Sequence, residues 1–268
     1  MDKKVVIITG ASSGIGLACA REFSAKGFKI VMAARTLEKL LEVEREIKFY
    51  NPDVLAIKAD VSIEKDCKNL IIETIKHFGR IDVLINNAGI SMRALFKDLD
   101  LQILHKLMDT NFWGTVYCTK YALPYILENK GSIVGISSIA GFMGLPGRTG
   151  YSASKFAIQG FLETVRVEHL KQNLHVMIVA PGFTSSNIRK TALSANGEMQ
   201  GETPRDEASM MSAEEVATNI YKGILKRKRL IILTMQGKLA VFLRKLVPSV
   251  VDYFEYQEMK KEPNSPLI

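Results

Sequence analysis

Val5-Val6-Ile7-Ile8 runs straight into Thr9-Gly10-Ala11-Ser12-Ser13-Gly14-Ile15-Gly16, and that turn opens onto the helix-forming stretch Leu17 to Phe23. Four consecutive apolar, β-branched residues read as a strand buried on both faces. The glycines let the backbone turn tightly and approach a ligand without Cβ clashes. The helix that follows presents unpaired N–H groups and a positive dipole end. Strand, glycine-rich turn and helix, in that order, is the context in which such a turn cradles a dinucleotide pyrophosphate. Gly10, Ser12, Ser13, Gly14, Ile15 and Gly16 are therefore expected to line a cofactor site.

The rest of the chain repeats the unit. Phe28 to Ala34, Val54 to Ala59, Ile81 to Ile85, Ser132 to Ile136 and His175 to Val179 read as short buried strands. Helical stretches fill the gaps at about 37–50, 63–78, 100–128 and 151–172. Alternating β and α implies an α/β fold: a doubly wound, Rossmann-like parallel sheet with helices on both faces. Ligands in such sheets bind at the carboxyl ends of the strands. At 268 residues and 47% hydrophobic, with no linker, repeat or low-complexity tract, the chain is expected to bury one core. The expected division is a dinucleotide-binding and catalytic domain over 1–235 and a C-terminal amphipathic extension over 236–268.

Tyr151-Ser152-Ala153-Ser154-Lys155 opens one of the helices. Side chains at i and i+4 share a helix face, which brings a phenol and an ammonium together. A free tyrosine titrates near pH ~10, and a nearby cation favours the phenolate. The pair can thus serve as a general acid/base. By itself the spacing is common on ordinary helix faces; its place beside a dinucleotide turn gives it meaning. The second strand ends in Ala33-Ala34-Arg35-Thr36. An acid about 20 residues after the glycines would hold the ribose hydroxyls of NAD, but Ala34 and Arg35 stand there instead. A guanidinium suits a 2′-phosphate, so NADP(H) is the expected cofactor.

Taken together, these motifs resemble the short-chain dehydrogenase/reductase family, in the branch whose chains have roughly this length. The resemblance runs from Val5 to about Arg229. Thr9 to Gly16 matches the family's glycine motif, Asp60-Val61 its adenine-side aspartate, and Asn86-Asn87-Ala88-Gly89 its adenosine-side segment. Asn111 matches the helix asparagine that positions a water beside the lysine. Ser138 matches the catalytic serine, at the family's spacing before Tyr151, and Pro181-Gly182 shapes the nicotinamide side. The family's threonine that contacts the carboxamide is replaced here, leaving Thr184 or Ser186 for that bond. The resemblance implies hydride exchange between NADP(H) and a carbonyl carbon. Tyr151 would supply the proton, Ser138 would steady the oxygen, and Lys155 would lower the phenol's pKa and hold the nicotinamide ribose. It also implies a homodimer or homotetramer.

Substrate residues are expected in three places: Ile90 to Arg93, Ile139 to Thr149, and a lid over 183–212 that includes Asn187, Met199, Met210 and Met211. Phe142, Met143, Leu145 and Pro146 make the second wall apolar, so the expected substrate is a hydrophobic carbonyl compound. The alternative function is a non-catalytic NADP-binding sensor or scaffold, which would need no Asn111-Ser138-Tyr151-Lys155 set. A sugar-nucleotide epimerase shares the Tyr-Lys pair but has a different glycine spacing and a larger C-terminal domain.

Leu239, Phe242, Leu243, Leu246, Val250, Tyr253 and Phe254 form an amphipathic stripe, bent at Pro248. Its charges come well before ~20 apolar residues accumulate, so it cannot span a bilayer. It could lie on a membrane surface, or cover the cleft or a partner subunit; the covering role is favoured. The run Lys226-Arg227-Lys228-Arg229 and the net charge of +8 are read as a solvated helix end and an attraction for anionic ligands, with no nucleic-acid role. Cys19, Cys67 and Cys118 are spaced as reduced, mostly buried thiols, with neither metal nor disulfide expected. The first strand begins by Val5, so no signal peptide is expected. The expected location is cytoplasmic, with membrane association through the extension as the variant.

Overall fold

A computed structural model describes residues 3–203 and 210–267. The strands are β1 (Val5–Thr9), β2 (Lys29–Ala34), β3 (Val54–Lys58), β4 (Val83–Asn86), β5 (Ser132–Ile136), β6 (His175–Ala180) and β7 (Leu230–Ile232). The helices are α1 (Gly14–Ala25), α2 (Leu37–Lys48), α3 (Glu64–Phe78), α4 (Leu101–Leu107), α5 (Gly114–Glu128), α6 (Thr149–Glu168), α7 (Ala213–Leu225), α8 (Met235–Leu246) and α9 (Pro248–Lys261). All seven strands pair in parallel in the order β3-β2-β1-β4-β5-β6-β7. The order reverses between β1 and β4, which opens a crevice at their carboxyl ends.

The continuous apolar runs follow from burial on both sides. Every residue of β1, β4, β5 and β6 is buried, as central parallel strands require. On one face Phe23, Leu40, Ile47 and Ile220 pack against Ile8, Met32 and Val134. On the other, Leu70, Ile126 and Leu162 pack against Ile7, Leu84 and Ile133. Cys67 of α3 and Cys118 of α5 are buried free thiols in the second face, and the Cys67 thiol donates to the Val61 carbonyl at 3.3 Å. The neighbouring Cys67 thiol, and then burial, hold the Cys118 thiol well above its ordinary range.

Two features differ from the pattern read in the sequence. The helix expected over 100–128 is interrupted by a π-helical turn, Met108–Trp113, so α4 and α5 are two segments. After β6 the chain adds α7, closed at its start by a capping box between Ser212 and Glu215, and a seventh strand. The basic run 226–229 is an exposed turn between α7 and β7.

Candidate active site

Thr9 ends β1 and fixes the glycine turn to the neighbouring strand. Its hydroxyl accepts from the backbone N–H groups of Asn87 and Ala88, both at 3.0 Å. The Asn87 amide donates back to the Thr9 carbonyl at 2.9 Å. Gly10 (φ +67°) passes so close that an added Cβ would stand 2.9 Å from the Ala88 Cα. At Gly16 such a Cβ would meet the Gly10 carbonyl oxygen at 2.3 Å. Ser13, the N-cap of α1, makes no side-chain capping bond, so the first N–H groups of the helix remain available. An uncapped helix start at the mouth of a crevice, with no side chain between backbone and ligand, fits a dinucleotide pyrophosphate.

The cleft has a volume of about 490 Å³. Gly10, Ser12, Ser13, Gly14, Ile15, Arg35, Asp60, Val61, Asn87, Ala88, Gly89, Ser138, Tyr151, Lys155, Pro181, Gly182, Thr184 and Ser186 all line it. Two of the residues expected at the site stand behind it: Gly16, which packs α1 on the turn, and Asn111, which is fully buried. Asp60 carries a local load as well, accepting from the backbone and hydroxyl of Ser62 at 3.0 and 2.7 Å. Ser186 lies against Gly14, on the pyrophosphate side, whereas the Thr184 hydroxyl donates to the Gly182 carbonyl at 3.2 Å.

Ser138 follows β5 and Tyr151 lies in the first turn of α6, which sets the Ser138 hydroxyl beside the Tyr151 phenol on the wall of the cleft. Lys155, one turn on, places its ammonium 5.6 Å from the Tyr151 ring centroid and donates to the Ile136 carbonyl at 2.8 Å. Burial of that ammonium lowers its pKa from the ordinary 10.5 to about 8. Tyr151 departs from the sequence expectation. Burial holds its phenol above the ordinary range, against a downward pull from the Ser138 hydrogen bond and then from the Arg148 guanidinium. Arg148 is thus a second cation close to the phenol, beside Lys155.

Asn111 explains the π-helical turn. Its side chain accepts from Ile90 N–H at 2.8 Å and donates to the Ile90 carbonyl at 3.0 Å and to Ser154 Oγ at 2.9 Å. Thr115 Oγ1 caps the Asn111 carbonyl at 2.8 Å. An inserted residue in a helix leaves carbonyls short of partners, and such turns cluster at functional sites. Here the insertion turns Asn111 towards Gly89 and Lys155: a Cβ on Gly89 would stand 3.1 Å from Asn111 Oδ1 and 3.5 Å from Lys155 Nζ.

The substrate walls are only partly as expected. Met92 and Met143 are buried in the body and do not line the cleft. Ile90, Ser91, Leu145, Ile188, Leu193 and Met199 do. The expected lid is irregular from Pro181 to Thr203; the bridge Met92–Leu193 ties it to the body, and the bridge Thr184–Met211 joins its two ends. Its residues 204–209 lie outside the described residues. Basic residues were underestimated: Lys39 stands with Arg35 at the adenosine end, and Lys106, Arg148 and Arg189 at the other. Lys39 is one turn into α2, a position that helical spacing could have put beside Arg35. Nothing in the spacing singles out Arg148.

The family model described as short chain dehydrogenase matches residues 4–197. The chain belongs to the short-chain dehydrogenase family. This short-chain dehydrogenase is 36% identical to 11-beta-hydroxysteroid dehydrogenase 1A of Arabidopsis thaliana, over 93% of the chain and 74% of that relative. It is also 36% identical to dehydrogenase/reductase SDR family member 7B of Mus musculus, over 97% of the chain and 83% of that relative. Among solved structures, a short chain dehydrogenase/reductase from Burkholderia phymatum in complex with NAD superposes with a TM-score of 0.83 at 22% identity, covering 93% of this chain and 95% of that one. An alcohol dehydrogenase from Thermococcus sibiricus, complexed with 5-hydroxy-NADP, gives 0.77 at 22% identity over 87% and 96%. These two likenesses show the doubly wound fold. The family and its hydroxysteroid dehydrogenase-like relatives make the chain an oxidoreductase acting on CH–OH groups, with a nicotinamide cofactor.

Proposed function

We propose that this short-chain dehydrogenase uses NADP(H) to interconvert a ketone and an alcohol on an apolar, lipid-like substrate. The observation that carries the reading is the convergence of Ser138, Tyr151 and Lys155 on the cleft that the glycine turn opens. A nicotinamide bound there supplies the hydride chemistry. In reduction, Tyr151 gives its phenolic proton to the substrate oxygen, and in oxidation it takes one back. Ser138 donates a hydrogen bond to the same oxygen as charge develops on it. Lys155 holds the ribose and, when protonated, stabilises the phenolate. Asn111 is a positioning residue, acting through the Ile90 backbone.

Arg35 and Lys39 at the adenosine end favour a 2′-phosphate over a bare ribose. Substrate class is supported by the apolar walls and by relatives that carry hydroxysteroid dehydrogenase in their names. The exposed aromatic side chains Trp113 and Phe156 support a homodimer or homotetramer. Among the described residues no helix is long and apolar enough to cross a membrane. Peripheral contact through the 236–268 extension, on an otherwise cytoplasmic protein, completes the reading.

Tyr151→Phe tests it. The variant should bind NADPH as the wild type does and lose turnover by orders of magnitude on every ketone the wild type reduces. Equal turnover in the two proteins would leave the NADP-binding scaffold as the better description.

A further inference from the structure

Arg148 is a charge that the chemistry above does not use. It lies three residues before Tyr151, at the N-cap of α6, and lines the substrate end of the cleft. Its Nη1 donates to Ser91 Oγ at 2.7 Å, and Ser91 is itself buried, its carbonyl accepting from the Leu193 N–H at 2.9 Å. The guanidinium is therefore held from a fixed point on the chain after β4. The same cleft is lined by the uncharged Leu145, Ile90, Leu193 and Met199, along with the cations Lys106 and Arg189.

Among the described residues, no carboxylate forms an ion pair with Arg148. Arg93 and Arg189 are cations. Glu262 is the one carboxylate among the described residues that acts on it, and Glu262 is bonded to Arg93 Nη2 at 3.3 Å. Arg189 is engaged in the lid, donating to Thr203 Oγ1 at 3.0 Å and to the Thr184 carbonyl at 3.0 Å. Arginine does not discharge at any ordinary pH. Arg148 is half-buried, and among the described residues no carboxylate bonds to it; a partly desolvated cation so placed costs stability, and a cleft meant for a wholly neutral ketone gains nothing from one. An arriving carboxylate, sulfate or phosphate would offset that cost and would meet the fork of donors left facing the cleft.

We propose that Arg148, anchored by Ser91, is the recognition point for a negatively charged group on an otherwise apolar ketone or alcohol substrate. The inference rests on the oxidoreductase reading and names the substrate class for it: an amphiphile with one anionic group on the same side as the reacting carbonyl, rather than a neutral lipid or sterol.

The test uses the whole chain with NADPH and three matched probe sets: medium-chain oxocarboxylates that differ in the spacing between ketone and carboxylate, their methyl esters, and the corresponding methyl ketones. A charge-assisted bond predicts kcat/KM roughly ten- to hundredfold higher for the best oxocarboxylate than for its ester. In Arg148→Met that ratio should fall to about one, and Ser91→Ala should lower it in part. Wild-type preference for the esters, or a ratio that Arg148→Met leaves unchanged, would overturn the proposal. So would an equal loss on acid and ester together with a shifted pH profile, which would make Arg148 a positioning residue for Tyr151. Calorimetric binding of the same probes to the NADP-loaded protein separates the two levels. Arg148-dependent binding of the acids without turnover keeps the anion site and removes the reaction. Turnover without acid preference keeps the reaction and removes the anion site. No turnover and no Arg148-dependent binding of any acid removes both.

Discussion

Lys155 is tied to the Ile136 carbonyl at 2.8 Å while its ammonium stands 5.6 Å from the ring centroid of Tyr151. The bond to β5 fixes the cation beneath the phenol, and α6 supplies the spacing. The same burial that positions the ammonium weakens it, bringing its pKa from 10.5 to about 8.

That shift has a sign in stability. Between about pH 8 and pH 10.5 the unfolded chain binds the proton that folded Lys155 has released, so folding becomes more favourable as pH rises through that window. Below about pH 8 the buried ammonium is a full cost. The wild type should therefore gain stability relative to Lys155→Met on going from neutral pH to pH 10.5, by up to roughly 3 kcal/mol. Chemical denaturation of both proteins across the window measures it; parallel curves would show that burial does not perturb Lys155. In the same window, reduction by the wild type should slow as the ammonium that supports the phenol is lost.

Asn111 joins the π-helical turn to both the Ile90 backbone and Ser154. Asn111→Leu leaves the Ile90 N–H and carbonyl without their partner. Each buried group left unpaired costs about 1–3 kcal/mol. The melting temperature should fall and turnover with it. Asn111→Asp, which can still accept from Ile90 N–H but cannot donate to its carbonyl, should recover only part of the loss. Full stability in the leucine variant would mean that the turn is held by Thr115 alone.

How much of this was readable beforehand depends on the range of the interaction. The glycine turn and the Tyr151–Lys155 pair are local, set by strand ends and helical spacing, and both stand where the sequence puts them. Asn111 was found through its likeness to a family, while the π-helical turn beneath it was not, because an apolar helical period continues on either side of the insertion. Arg148 was hidden for a different reason. A lone arginine before a helix reads as a solvated cap, and only the tertiary placement of Ser91, on another segment, turns it into the cleft. The phenol's elevated pKa was likewise invisible, since it follows from burial and not from spacing.

Arg35 and Lys39 should govern cofactor choice. The wild type should prefer NADPH, and Arg35→Asp should move preference towards NADH by tenfold or more, with Arg35→Asp/Lys39→Ala moving it further. Both cations stand at the open end of the cleft and Arg35 is exposed, so the preference should narrow as salt is raised. Titration showing equal affinity for the two cofactors at low salt would refute the role given to these residues.

The C-terminal helices divide into a part that holds the body and a part that does not. Gly237 of α8 packs against Ile139, and Met259 at the end of α9 packs against Gly147. Just beyond it, Glu262 pairs with Arg93, both side chains less than a tenth exposed. Between these anchors, Leu239, Phe242, Leu246, Val250, Tyr253 and Phe254 are all exposed, from 49% to 62%. The stripe therefore does not cover the substrate cleft, one half of the role favoured from sequence; a partner subunit or a membrane surface is what it can still meet. Deleting the chain from Lys238 should lower the melting temperature, because it removes the packing of Met259 on Gly147, together with the Glu262 and Pro263 partners of Arg93. Replacing Leu239, Phe242 and Phe254 by glutamine should leave the melting temperature of the monomer unchanged, since those side chains bury little. The same triple variant should lose either its oligomeric state in sedimentation or its co-sedimentation with anionic liposomes, where Lys238 and Lys245 add the electrostatic share. A change in oligomeric state identifies a second copy as the occupant, and a change in liposome binding identifies a membrane. A triple variant that melts lower but keeps both properties would show that the stripe belongs to the body after all.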